Sequence, residues 1–567
     1  LIATQNEAEI SIHSRYNPER EAYRWAEALG EDWDLLILYG LGLGYHLLAV
    51  QELYPEKEII LIEQTSENLF QAMHYLDLTV TFNNLYLVIE EIPETAANKV
   101  GQLIFAKSNK QQLIRAIPGY ENVYQEYWSI LLKKVNEIIL SFRSNLATEV
   151  FFDGQWVENF RDNLQYYFNS PGINTVFDSF INVPIIIVAS GPSLEKNIHL
   201  LSSIKGRSLI IAAGSAIGPL LKNNIIPDLV VSIDPGEPNY NHFKDIDSSK
   251  IRLAFASTIY SRIVKEHRGP KFPFGLNVFP FDRWIGDITQ EHKGILASGS
   301  TVAVTCLDLA IKLGGNPITF IGQDLAYTDL KSHAEGNMNF KKISTERNDI
   351  IKVEGINGKV YTDRKFLVMK NHLESLIKQF GSRLDIIDAS EGGVVLAGTK
   401  VMTLSDVINS YCSRVFPIDS IIEERLTLNS NLTTAQRIEL LNSIGTLEND
   451  IQIINEIYSE VKEKIKILNS TLRSSSLVKF ENDIKRCEQK IVQTEFVQYF
   501  ANPLLKNRLK VLSINAATKI ENAKTLEEKI NYLSTGYLNW FELIYETAVF
   551  FEDTVFHSLE DKVKIIL

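Results

Sequence analysis

Ile185-Ile186-Ile187-Val188-Ala189-Ser190-Gly191-Pro192-Ser193-Leu194 decides the fold class of this chain. Five apolar residues in a row read as a strand buried on both faces, which is the habit of parallel sheets. Ser-Gly-Pro-Ser then turns the chain, and Leu194, Ile198 and Leu201 fall on one helical face. Further strands are expected at Leu209–Ala213, Leu229–Ile233, Leu253–Ala256, Ile318–Ile321 and Leu384–Ile387, with helical stretches between several of them. Val302, Cys306, Leu309 and Leu313 mark one such helix. Strand and helix alternating in this way predict an α/β class with a doubly wound, Rossmann-like sheet across residues 151–405.

Two zones flank it. In residues 1–150, Leu35–Tyr39 and Ile59–Glu63 read as strands around the turn Gly40-Leu41-Gly42-Leu43-Gly44, with a helix from Tyr45. A glycine turn followed by an acid about twenty residues on outlines a small Rossmann-like domain. The spacing is G-x-G-x-G rather than G-x-G-x-x-G, so close helix–strand packing and a ligand site are equally good readings. His46, just past the turn, reads as a helix-start residue rather than a metal ligand. Residues 406–567 are helical. Ile444, Leu447, Ile451, Ile454, Tyr458, Val461, Ile465 and Leu468 step by threes and fours as a heptad seam. An antiparallel bundle packing on itself is the favoured reading; the sharper one is a homo-oligomer or a platform for a partner protein.

The 567 residues are 45% hydrophobic and 22% charged, an ordinary globular balance. A net charge of -13 disfavours nucleic acid as a partner. Cys306, Cys412 and Cys487 lie far apart without metal-ligand spacing. No apolar run approaches the roughly 18 residues of a membrane span, so no membrane insertion is expected. The start at Leu1 lacks an initiating Met and the pattern of a signal peptide; a trimmed beginning and a soluble, cytoplasmic protein are the expectation.

Ligands of open parallel sheets bind beyond the carboxyl ends of the strands. Five turns stand there. Ser190-Gly191-Pro192-Ser193 follows the first strand, with a serine to cap the next helix or hold a phosphate oxygen and Pro192 suited to a first helical turn. Gly214-Ser215 leaves room for a base or ribose. Asp234 offers a carboxylate to a ribose or base amine. Ser298-Gly299-Ser300-Thr301 opens a long apolar helix whose N-terminus suits an anion. Gly322-Gln323-Asp324-Leu325-Ala326-Tyr327, with His333 beyond, supplies an acid, a phenol and an imidazole. No G-x-x-x-x-G-K-[ST] is present, so a P-loop NTPase is not expected. Asp245-Ile246-Asp247 reads as a solvated loop, and no metal site is expected.

The stretches IIIVASGPSLEKNI, LIIAAGSAIGPLLKNNIIPDLVVSIDPGE, ILASGSTVAVTCLDLAIKLGGNPITFIGQDLAYTD and KSHAEG resemble the motility accessory factor (Maf) proteins, flagellin nonulosonic acid transferases. LLILYGLGLGYHLLAV also looks like that family's N-terminal domain. The central zone is similar to bacterial sialyltransferases that use CMP-sialic acid. Gly191, Pro192, Ser193 and Leu194 match their first loop, Asp234 stands where they have an Asn, and Ser298 and Gly299 match their Ser-Gly pair. Asp324 matches the acid of their glycine-x-Asp loop, and Tyr327 lies one position beyond their phosphate-binding Tyr. Their catalytic His falls where this chain reads Val360-Tyr361-Thr362-Asp363, so the base must come from elsewhere, with His333 or Asp324 as candidates.

The resemblance implies transfer of pseudaminic or legionaminic acid from its CMP ester to Ser or Thr of flagellin. The donor substrate is then CMP-activated sugar, with no further cofactor. The central zone also resembles an archaeal pterin pyrophosphokinase, which moves diphosphate from ATP with Mg²⁺. A non-enzymatic flagellin-binding accessory protein with a decayed pocket is the third reading.

Overall fold

The computed structural model describes residues 2–5, 8–74, 84–106, 110–345, 349–381, 383–428, 431–471, 473–521 and 523–565. The chain divides into two compact units, residues 1–148 with 507–537 and residues 149–506 with 538–567. The helical third zone is thus shared between them.

In the first unit, β1 (Ile2–Gln5) and β2 (Ala8–Ser11) form an antiparallel pair. A parallel sheet follows from β3 (Leu35–Tyr39), β4 (Glu58–Glu63), β5 (Leu85–Ile89) and β6 (Gln112–Ala116), in the order β5-β4-β3-β6. Every residue of β3 is buried, as its unbroken apolar run requires. The expected helix after the glycine turn spans Tyr45–Leu53.

The second unit is built on nine strands: β7 (Ile185–Val188), β8 (Leu209–Ala213), β9 (Leu229–Ser232), β10 (Leu253–Ala256), β11 (Lys271–Leu276), β12 (Ile295–Leu296), β13 (Ile318–Ile321), β16 (Ile386–Asp388) and β17 (Lys400–Val401). Between β13 and β16 the chain makes an antiparallel hairpin, β14 (Ile350–Gly355) with β15 (Gly358–Asp363). The sheet order is β12-β11-β10-β9-β8-β7-β13-β16-β17, and each pairing is parallel. Chain order therefore reverses between β7 and β13. Ile185, Ile187, Leu209 and Ile211 enter one core, with Cys306, Leu309 and Leu313. Ile186, Val188, Ile210 and Ala212 enter the other, with Leu194 and Leu201. Period-two alternation sends neighbours to opposite faces, and both faces are covered. This is the doubly wound sheet expected from the sequence.

Details differ from the expectation. The last inner strand runs Ile386–Asp388 rather than from Leu384. The helix after Ser193 is one turn, Leu194–Asn197, and continues as a 3₁₀ stretch, Ile198–Ile204. Strands β11 and β12 and the hairpin were not anticipated.

The helix Thr434–Thr471 buries all eight residues of the heptad seam. Within this unit it packs on the helices Ser474–Val492 and Phe281–Thr289. Phe281 stacks on Phe551 at 5.2 Å and meets the tilted ring of Phe500 at 4.3 Å. The seam is therefore used inside the chain and is not left for a second copy. Among the described residues no helix is long and apolar enough to cross a membrane.

Candidate functional site

Where strand order reverses, the loops after two neighbouring strands leave in opposite directions and open a crevice. Here those strands are β7 and β13, and their loops are Ser190–Ser193 and Gly322–Ala326. The loops are laced together. Gly191 N–H donates to the Gly322 carbonyl at 2.7 Å. The Asp324 carboxylate accepts from Ser193 N–H at 3.1 Å and from Ser193 Oγ–H at 2.5 Å. A Cβ on Gly191 would stand 2.2 Å from Asp324 Oδ1, so only glycine permits this approach. Asp324 is 1% exposed. Burial raises its carboxyl, and the Ser193 bonds oppose that rise. Through these bonds Asp324 clamps one loop to the other while it also lines the cavity described next. Ser193 does not cap the following helix, because its hydroxyl is spent on that clamp. Pro192 lies ahead of the helix, which begins at Leu194.

Above the clamp lies a cavity of about 350 Å³. Ser190, Gly191, Gly322 and Asp324 line it at the switch point, Ser215 and Asp234 from the ends of β8 and β9, and Gly299, Ser300 and Thr301 from the helix start. His333 lines it from the segment beyond β13. Ser190 and Ser215 share a hydrogen bond of 2.9 Å between their hydroxyls. Asp234 is exposed as a residue in this concave wall, yet the protein crowding its carboxyl raises it.

The expected phosphate turn is only partly turned inward. Ser298 gives both its N–H and its hydroxyl to Asn277 Oδ1, each at 2.9 Å, and does not line the cavity. Thr301 is the N-cap of the helix Val302–Lys312, its Oγ1 accepting from Ala303 N–H. Ser300 N–H donates to His372 Nδ1 at 3.3 Å. Gly214 also stays outside the lining, and a Cβ there would stand 3.0 Å from Ser232 Oγ and 3.1 Å from the Phe243 ring. Tyr327 is likewise absent from it: its phenol donates to Asp363 Oδ2 at 2.7 Å. That bond ties the turn after β13 to the hairpin, and the phenol does not face the cavity as a phosphate donor.

Three contributors were missed by sequence reasoning: His242, Asn339 and the helix Arg364–Phe380, which brings Phe366 and Met369 to the lining and His372 to Ser300. Burial holds His333 and His242 below the ordinary imidazole value, and for His242 the neighbouring His333 adds to the effect. A hydrogen bond to the Asn339 carbonyl opposes the fall for His333. Both imidazoles are thus kept neutral at pH 7, the form that accepts a proton. The arrangement can hold an anion at a helix N-terminus and take a proton nearby. Among the described residues, no group of three His, Cys, Asp or Glu side chains is placed to hold a metal ion.

A cavity of about 600 Å³ lies elsewhere, beside Asp245, Asp247 and Arg268. Its Glu266 is bonded to Arg262 and Tyr240, and its His267 to the Ile251 carbonyl. Asp245 and Asp247 are exposed there, as a solvated loop requires.

The glycine turn of the first unit is built alike and filled differently. Gly40, Gly42 and Gly44 adopt φ of +95°, +57° and +89°. Leu41 N–H donates to Glu63 Oε2 at 2.9 Å, and Leu43 N–H to His13 Nε2 at 2.9 Å. Gly42 N–H reaches the Tyr120 hydroxyl at 3.3 Å, and that hydroxyl donates to Glu63 at 2.7 Å. The protein's own groups take the amides a phosphate would need, so close packing is the reading that fits. His46, in the first turn of the helix that follows, is buried and stacked on His13.

Two family descriptions match separate stretches of the chain. Residues 158–330 match the family described as 6-hydroxymethylpterin diphosphokinase MptE-like. An uncharacterised protein of Treponema pallidum (strain Nichols) is 32% identical over 102 residues, 17% of this chain. The matched stretch spans 46% of that relative, under half its length. The structure of a Maf glycosyltransferase from Magnetospirillum magneticum AMB-1 shares the fold, with a TM-score of 0.57 at 16% identity over 96% of this chain and 86% of that one. Residues 6–141 match the family described as Glycosyltransferase Maf N-terminal domain. In its N-terminal residues the chain is thus similar to the Maf N-terminal domain.

Proposed function

We propose that this protein is a glycosyltransferase that moves a nonulosonic acid, pseudaminic or legionaminic, from its CMP ester to a Ser or Thr hydroxyl of flagellin. The observation that carries the reading is the cleft at the strand-order reversal, where small and hydroxylated turns meet a helix N-terminus and the imidazoles of His242 and His333. The N-terminal Maf match supports sugar transfer, and the relative of like fold is titled a glycosyltransferase.

In the reaction, the bond from the anomeric carbon to the phosphate oxygen breaks and its electron pair leaves with CMP. The acceptor oxygen bonds that carbon and loses its proton. The helix Val302–Lys312 points its N-terminus at the cavity and stabilises the departing phosphate. His333 takes the acceptor's proton, a role worth about 10²–10⁴-fold. Asp324 holds the loop geometry, so Asp324→Ala perturbs folding and transfer together, whereas His333→Ala tests the chemistry.

The family match over residues 158–330 favours a second reading, diphosphate transfer from ATP to a pterin. Calorimetry with CMP and ATP, each with and without Mg²⁺, separates the two. Heat with CMP that ignores Mg²⁺ is expected. Mg²⁺-dependent binding of ATP with none of CMP would overturn the transferase reading.

A further inference from the structure

Gln323 follows Gly322 at the end of β13, directly on the strand-order reversal. Its backbone N–H is spent on Ser390 Oγ at 3.0 Å. Its side chain is 4% exposed and lines the cavity. The Oε1 atom is buried with no partner, and among the described residues nothing bonds Nε2. Ser300 Oγ, lining the same cavity from the helix start, is likewise buried and unpartnered.

A buried carboxamide oxygen without a partner is unusual, because nearly every buried polar group is hydrogen-bonded. Met has nearly the same length and would fill this place without stranding an acceptor. The unpaired groups are explained if a ligand completes them. Oε1 can only accept and Nε2 can only donate. Their counterpart is therefore a ligand edge with a donor beside an acceptor.

We infer that Gln323 is a recognition residue whose carboxamide pairs with such an edge of the bound donor, while the Ser300 hydroxyl bonds a second polar group of the same molecule. The pyrimidine of a CMP-linked sugar carries this edge in its amine and ring nitrogen; a sugar acetamido group, whose N–H and C=O point opposite ways, can instead satisfy Oε1 through its N–H. The identity of the ligand rests on the function proposed above; the need for a polar partner does not.

The test uses the full chain with Gln323→Met and, should that variant fail to fold, Gln323→Glu. Calorimetry with CMP and with CMP-N-acetylneuraminic acid is combined with thermal melts. The Kd is expected to rise at least tenfold while the Tm of Gln323→Met stays at or above wild type. A rise already present with CMP places the pyrimidine against Gln323. A rise only with the sugar nucleotide places the acetamido group there. Unchanged Kd for both ligands overturns the inference. If wild type binds neither ligand, the cytidine reading fails by itself and the melts judge Gln323. An unreduced Tm then supports an unpaired amide, and a drop of several degrees shows that the protein satisfies it and overturns the inference.

Discussion

The turn after β3 and the turn after β7 occupy the same place on two parallel sheets, yet the protein fills one and leaves the other open. After β3, Glu63, Tyr120 and His13 consume the turn's amides. After β7, Ser190 and Gly191 border a cavity, and Asp324 braces the loop from below. Glycines at a strand end mark a close approach of backbone; they do not say whether side chain or ligand does the approaching. The acids repeat the contrast. Glu63 has its carboxylate bonded by an amide and a phenol. Asp388, beside Asp324 at the open turn, keeps Oδ2 buried and unpartnered.

The contrast can be broken first at Gly191. Gly191→Ala forces a methyl group against Asp324 Oδ1 and the Gly322 carbonyl, the latter at 2.5 Å. Urea unfolding should show a loss of about 3 kcal/mol, in the range of overpacked sites, together with lost nucleotide binding. Asp388→Asn has an effect of the other sign. Burial lifts the Asp388 carboxyl to about 6, with the Ser390 bonds opposing and Asp324 adding to the rise. A raised carboxyl stabilises the fold fully below pH 4 and loses that contribution as pH rises through about 6. The Asn variant should therefore gain up to about 3 kcal/mol over wild type at pH 8, and almost nothing at pH 4. The smallest effect belongs to the filled turn. Tyr120→Phe removes a phenol from Glu63 and Gly42 and should cost about 1 kcal/mol, leaving CMP binding unchanged.

The strands buried on both faces were legible because continuous apolar runs have few other uses. Strand β11 was hidden by Pro273 and Gly275, which break the apolar pattern although the sheet around them holds it. The hairpin was missed although Ile351, Lys352, Val353 and Glu354 alternate apolar and charged as a half-buried strand does. In the site, Ser190, Gly191 and Ser300 were legible from their place after strands or before a helix. His242, Asn339 and His372 carry no such signal; only the tertiary fold brings them to the cleft. Asp324 and Tyr327 show the converse. Their chemistry was visible, but not that Ser193 and Asp363 would engage it.

Hydrogen–deuterium exchange with and without CMP compares the two turns in one measurement. CMP is expected to slow exchange at Ser190–Ser193, Gly299–Ala303 and Gly322–Ala326 and to leave Gly40–Gly44 unaltered. Protection at Gly40–Gly44, with none at the β7 and β13 turns, would contradict the assignment of the open cleft as the donor site.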